Sequence, residues 1–116
     1  MSVQSILIVE DEPLIAMMIE DFLEVLGKTA AGTADTVEAA LALVAKGGID
    51  AAILDVNLRG GEKSFPIADA LAAAGIPFVF ATGGSQDTVA EDYRDRPTLP
   101  KPFTMDGVSQ ALAALG

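Results

Sequence analysis

The sequence predicts an α/β domain built on one parallel sheet, and three observations carry that expectation. Apolar runs of strand type alternate with segments of helical apolar spacing about five times along the chain. Strict alternation of this kind calls for right-handed crossovers and helices on both faces of the sheet. Polar residues also stand directly after the apolar runs, at the carboxyl ends where open α/β sheets build their sites.

Taken in order, residues 5–9 form the first strand, and Glu10-Asp11 follow its run Ile6-Leu7-Ile8-Val9. Glu12-Pro13 opens a helix, because proline fits a first helical turn. Leu14, Ile15, Met18, Ile19, Phe22, Leu23 and Leu26 recur on that helix at core spacing, and Gly27 caps it. Residues 28–33 are a weaker second strand, poor in β-branched side chains. Asp35 with Glu38 has the spacing of a capping box for a second helix, marked by Val37, Leu41 and Val44 and ended by Gly47-Gly48. Residues 50–54 are the third strand, leading into Asp55. Residues 65–74 form a helix on Ile67, Leu71 and Ala74, closed by Gly75. Residues 77–81 are the fourth strand, followed by Thr82. Residues 86–94 suggest a helix with Val89 and Tyr93 one turn apart. Residues 97–100 are a short edge strand flanked by proline and followed by Lys101. Val108, Leu112 and Leu115 mark a last helix. The Ala-rich stretches 39–45 and 68–74 are expected on helix surfaces.

Five such units fit the flavodoxin-like strand order 2-1-3-4-5, with helices on both faces of a five-stranded parallel sheet. The topological switch point then lies between strands one and three, which carry Glu10-Asp11 and Asp55.

At 116 residues the chain is expected to be a single domain, 1–116, with no effector domain. Its formal net charge of −10, from 17 acids and 7 bases, opposes contact with nucleic acid phosphates and anionic membrane surfaces. Direct nucleic acid binding is therefore not expected. The apolar stretches are far short of a membrane span and the N-terminus lacks a signal-type segment, so no membrane insertion and a cytoplasmic location are expected. With no cysteine and no histidine, thiol catalysis, a Ser-His-Asp triad and a zinc-histidine site are excluded.

Three acids, a hydroxyl and a lysine at one sheet edge suit metal-assisted phosphoryl chemistry on a carboxylate. Crowded carboxylates repel, and a hard divalent cation relieves the repulsion. Glu10, Asp11 and Asp55 are the candidate Mg2+ ligands, with the backbone carbonyl of Asn57 completing the protein's share. Asp55 is the candidate nucleophile, since carboxylates form aspartyl-phosphate intermediates. Lys101 and Thr82 are placed to bind phosphoryl oxygens as charge develops on them. Each residue has an ordinary reading alone. Glu10, Asp11 and Glu12 favour a helix N-terminus, Asp55 and Thr82 suit turns, and Lys101 suits a solvated surface. Their common position at strand ends makes the joint reading the stronger one.

Four motifs then carry a resemblance: Ile-Val-Glu-Asp-Glu-Pro (8–13), Ile-Leu-Asp-Val-Asn-Leu (53–58), Phe-Ala-Thr-Gly (80–83) and Lys-Pro-Phe (101–103). Essentially the whole chain resembles the receiver domain of two-component response regulators. The Phe-Ala-Thr-Gly run is similar to that of a group of single-domain receivers common in alphaproteobacteria. The resemblance implies that Asp55 is phosphorylated, with Mg2+, by a sensor histidine kinase or histidine phosphotransfer protein. It makes Glu10 and Asp11 the acidic pair, Thr82 the switch hydroxyl and Lys101 the phosphate-binding lysine. It also implies self-catalysed phosphoryl transfer to Asp55 only, not a turnover enzyme.

Output would pass to an unknown downstream protein target, or the domain would act as a phosphate sink. Thr98 stands where many receivers carry Tyr or Phe, Arg59 where proline often follows, and Gly83-Gly84 makes the next loop permissive. That loop, within 82–98, is expected to move on phosphorylation. Two alternatives remain: a pseudo-receiver adaptor that is not phosphorylated, and a phosphatase with an aspartyl nucleophile. The second needs an acid two residues after the nucleophile, where this chain has Asn57.

Overall fold

A computed structural model of the chain describes residues 4–56, 58, 62–82, 98–100 and 103–115. Its elements are β1 (Ser5–Val9), α1 (Pro13–Val25), β2 (Thr29–Ala34), α2 (Val37–Lys46), β3 (Ala51–Asp55), α3 (Phe65–Ala73), β4 (Phe78–Thr82), β5 (Thr98–Pro100) and α4 (Met105–Leu115). The sheet runs β2-β1-β3-β4-β5 with every pairing parallel, the order expected from the sequence. The helix expected at 86–94 lies outside the described residues.

Alternate residues of each central strand supply opposite faces. Ile6 and Ile8, Ile53, and Val79 and Ala81 join α1 and α4 through Ile19, Leu23, Val108 and Leu112. Leu7 and Val9, Leu54, and Phe78 and Phe80 join α2 and α3 through Ala40, Ile67 and Leu71. β3 is buried along its whole length, as a central strand covered on both faces must be. β2 is the edge strand beside β1, and β5 is the opposite edge. The exposure of β2 alternates, and it carries an irregularity opposite Ile6/Leu7.

Several details differ from the sequence expectation. Leu14 is 78% exposed, because Ala16 takes the inward position of the first turn. Leu41 is at the surface and Ala40 is fully buried beside it. Ala74 is exposed just past α3, while Ala68 is fully buried. The Ala-rich stretches are thus not simply surface: Ala40 and Ala68 lie in one core cluster where α2 meets α3. Small side chains let two helices approach closely there. The α2 cap is Thr36 rather than Asp35. Its Oγ1 accepts from Ala39 N at 3.1 Å, and its extended φ of −137° suits a cap. β2 runs on to Ala34 to pair with Val9, which moves the helix start one residue along. Gly27 and Gly75 do end their helices, at φ of 77° and 74°.

Candidate functional site

β1 and β3 are neighbours, and both end at the same edge of the sheet. The Val9–Leu54 pairing brings the residues that follow, Glu10 and Asp55, side by side. Glu10 is held by its backbone, whose N–H donates to Ala34 O at 3.0 Å. The N–H of Glu12 donates to Glu10 Oε2 at 3.1 Å as the chain turns into α1. Glu10 is 3% exposed and Asp55 5%.

The carboxylates of Glu10, Asp11 and Asp55 each offer an oxygen within 4.8 Å of the others. Glu10 Oε1 is buried and makes no hydrogen bond among the described residues. Burial, reinforced by the Asp55 charge, pushes the Glu10 carboxyl up to about 8, against the pull of the Glu12 N–H. Three crowded oxygens, one of them orphaned and destabilised as an anion, fit a hard divalent cation. The acidic trio expected from the sequence is therefore brought together.

Asp55 pairs with Ala81, so the backbone of Thr82 lies one residue beyond it on β4, opposite Pro100. Asn57 and Lys101 lie outside the described residues. Among the described residues the other buried polar side chain is Ser64, fully buried before α3, and its hydroxyl has no hydrogen-bond partner among them. The loop leaving Asp55 folds back on itself there, with Ser64 N donating to Val56 O at 3.0 Å and Leu58 N to Glu62 O at 2.7 Å. Glu62 Oε1 accepts from Val37 N at 3.2 Å, tying this loop to the start of α2. Nothing in the residue spacing points to Ser64 or Glu62.

A cavity of about 260 Å³ opens beside the acids, between the β1–α1 turn and the β2–α2 turn. Glu10, Asp11 and Asp35 supply its carboxylates, and Pro13, Ala16 and Thr33 line the remainder. Asp35, read from sequence as a helix cap, is instead a wall of this cavity.

A doubly covered parallel sheet with three acids at its switch point defines a receiver. The chain belongs to the response regulator receiver domain family, which it matches over residues 6–113. It is similar to SdrG from Sphingomonas melonis Fr1, whose solution structure is 75% identical over 99% of this chain and 98% of that one, with a TM-score of 0.90. A BeF3-activated conformation of SdrG from Pseudomonas melonis Fr1 is 74% identical over 98% and 97%, at 0.85. The anti-anti-sigma factor PhyR from Bartonella quintana is 28% identical over 99% of this chain and 47% of that one, at 0.79. Among curated proteins none matches.

Proposed function

We propose that the protein is a phosphorylation-controlled switch in a two-component phosphorelay, with Asp55 as the phosphoacceptor. The observation that carries this is the buried Asp55 carboxylate at the end of β3, clustered with Glu10 and Asp11. The donor is a phosphohistidine on a sensor histidine kinase or histidine phosphotransfer protein. An Asp55 carboxylate oxygen attacks phosphorus and the phosphorus–nitrogen bond breaks. The imidazole keeps the electron pair and takes a proton from solvent. The product is an acyl phosphate, and water attack on phosphorus later returns Asp55 and inorganic phosphate.

Glu10, Asp11, Asp55 and the Asn57 backbone carbonyl would hold Mg2+, which supplies positive charge against the phosphoryl oxygens. Glu10 and Asp11 position that charge, and β3 burial keeps Asp55 fixed for attack. Lys101 donates to a phosphoryl oxygen, and the Thr82 hydroxyl donates to another once the group is in place. The chain processes no external substrate through repeated turnover. The 74% identical relative adopts an activated conformation with BeF3, a phosphoryl mimic, which supports a competent site.

Output passes to another protein, or Asp55 serves as a phosphate sink. PhyR of Bartonella quintana is described as an anti-anti-sigma factor, so a regulator of transcription initiation is a fitting class of target. No helix among the described residues is long and apolar enough to cross a membrane, which fits a cytoplasmic protein charged by a kinase.

Intact-mass analysis with acetyl phosphate and Mg2+, beside Asp55→Asn, tests the reading. One phosphoryl adduct that needs Mg2+ and disappears in the variant is expected. No adduct, together with no binding of beryllofluoride, would overturn it in favour of a pseudo-receiver adaptor.

A further inference from the structure

Glu62 is exposed in the loop after Asp55, where a solvated surface charge would be its ordinary reading. Its carboxylate is instead committed to another part of the fold. Oε1 accepts at 3.2 Å from Val37 N, 25 positions earlier in the chain. Val37 opens α2, so its N–H is one of the donors that a helix start leaves without an internal partner. Thr36 Oγ1 serves Ala39 N in the same turn at 3.1 Å, and the Glu62 charge meets the positive end of the helix.

The backbone of the same residue holds the exit from β3. Leu58 N donates to Glu62 O at 2.7 Å, and Ser64 N donates to Val56 O at 3.0 Å. Val56 and Leu58 are buried and stand on either side of Asn57 in the chain, whose backbone carbonyl is the expected fourth Mg2+ ligand. α2 is a firm support, because Ala40 and Ala68 are fully buried in the core where it meets α3. Val56 and Leu58 are thus tied to the turn at 62–64, and the Glu62 side chain ties that turn to a packed helix.

From this chain of contacts we infer that Glu62 is a positioning residue for the Mg2+ site, holding the backbone around Asn57 in place by anchoring its turn to the start of α2. It acts through the backbone and is not itself a ligand. A carbonyl serves a cation best when it is fixed before the ion arrives, because ordering it on binding costs affinity. Loss of the anchor therefore shows as weaker Mg2+ binding rather than as a changed fold. The inference rests on the reading of Glu10, Asp11 and Asp55 as the Mg2+ site, and adds a residue that tunes it from outside.

Three variants separate the hydrogen bond from the charge. Glu62→Ala removes both. Glu62→Gln keeps an acceptor without the charge. Val37→Pro removes the donor and leaves the charge, and proline suits a first helical position. Thr36, at φ −137° and ψ 162°, already has the extended backbone that a residue before proline adopts. Mg2+ dissociation constants are read from amide shifts in NMR titrations, and urea melts in EDTA give stability separately. We expect the constant to rise roughly tenfold in Glu62→Ala and in Val37→Pro, the low end of what an outer partner costs a metal site. Combining the two should be no worse than either alone, since both cut one contact. Glu62→Gln should stay within about twofold of wild type, because the acceptor survives. Exchange of the Val37 amide should quicken in Glu62→Ala and not in Glu62→Gln.

An Mg2+ constant for Glu62→Ala within about twofold of wild type, whatever the loss of stability, overturns the inference and leaves Glu62 as a helix cap. An equal rise in Glu62→Gln and Glu62→Ala also overturns it, by making long-range charge the cause. If Val37→Pro fails to fold, the comparison of Glu62→Ala with Glu62→Gln decides alone. A wild-type chain that takes no Mg2+ is the failure of the acidic-site reading itself, and the role of Glu62 falls with it.

Discussion

The two edges of the sheet treat the same chemical group in opposite ways. At the amino edge, the exposed Asp50 carboxylate accepts from Gln4 N at 3.1 Å and Ser5 N at 2.9 Å. Those two hydrogen bonds hold its carboxyl below the usual carboxylate range. Neighbouring bonds complete the edge, with Asp50 N donating to Ser5 O at 2.8 Å and Gln4 Nε2 to Gly27 O at 2.8 Å. At the carboxyl edge, burial drives Glu10 the other way, to about 8, and Asp55 adds to it. The two buried side-chain oxygens without hydrogen bonds among the described residues, Glu10 Oε1 and Ser64 Oγ, both sit on the carboxyl side. One edge is satisfied and stabilises the fold. The other keeps unmet polar groups, which a cation and a phosphoryl group can satisfy.

The largest expected effect breaks the carboxyl edge outright. Asp55→Asn abolishes the Mg2+-dependent mass adduct, and by removing one of the crowded charges it raises the melting temperature measured in EDTA.

Next comes pH. Glu10 keeps its proton in the folded state up to about 8, whereas in the unfolded chain the carboxyl loses it near the ordinary 4.5. Its favourable contribution is therefore full below about 4.5 and is lost as pH rises toward 8. After discounting for solvent screening at this open edge, the loss without metal is about 2 kcal/mol. Urea melts in EDTA at pH 5.5 and pH 8.5 measure it, and Glu10→Gln should flatten the difference. Mg2+ should restore more stability at the higher pH, because it replaces a proton.

Ser64→Ala is smaller. Removing an unpaired buried hydroxyl leaves stability unchanged or raises it by up to about 1 kcal/mol, read from the urea midpoint. A clear loss would mean that the hydroxyl is paired in solution and that the edges are more alike than the structure shows.

Asp50→Asn sharpens the comparison from the other side, with the smallest effect. The carboxylate's contribution is present above its unfolded value and disappears as pH falls through its lower folded value. The variant should therefore match wild type in strong acid and fall slightly below it near neutrality, by thermal melts at low and neutral pH.

Much of this contrast could be read in the sequence, because it follows from the order of elements. The run 51–54 before Asp55 and the run 6–9 before Glu10 set both strands and their ends. Their adjacency followed from the expected strand order. What escaped was set by packing between elements distant in sequence. Leu14 fits the apolar period of α1 as well as Ile15 does, and only the position of β1 and β2 decides that Ala16 points inward. Asp35 and Thr36 are both good caps, and the length of the β1–β2 pairing chose between them. Ala40 and Ala68 look like surface until α2 and α3 are brought together. The cavity beside Glu10 belongs to two turns that the sequence separates by more than twenty residues.

The close seating of α2 has a consequence for the strand that leads to the acidic cavity. Gly32 lies under Leu43, where a Cβ would come within 3.0 Å of Leu43 Cδ1, and Ala40 is fully enclosed. A side chain at Gly32 would make Leu43 give way by a few tenths of an ångström, and a larger residue at Ala40 would press on the seat of α2. Thr33 and Ala34, which line the cavity beside Asp11, follow Gly32 directly on β2, so the packing beneath α2 and the wall of the acidic cavity share one stretch of backbone.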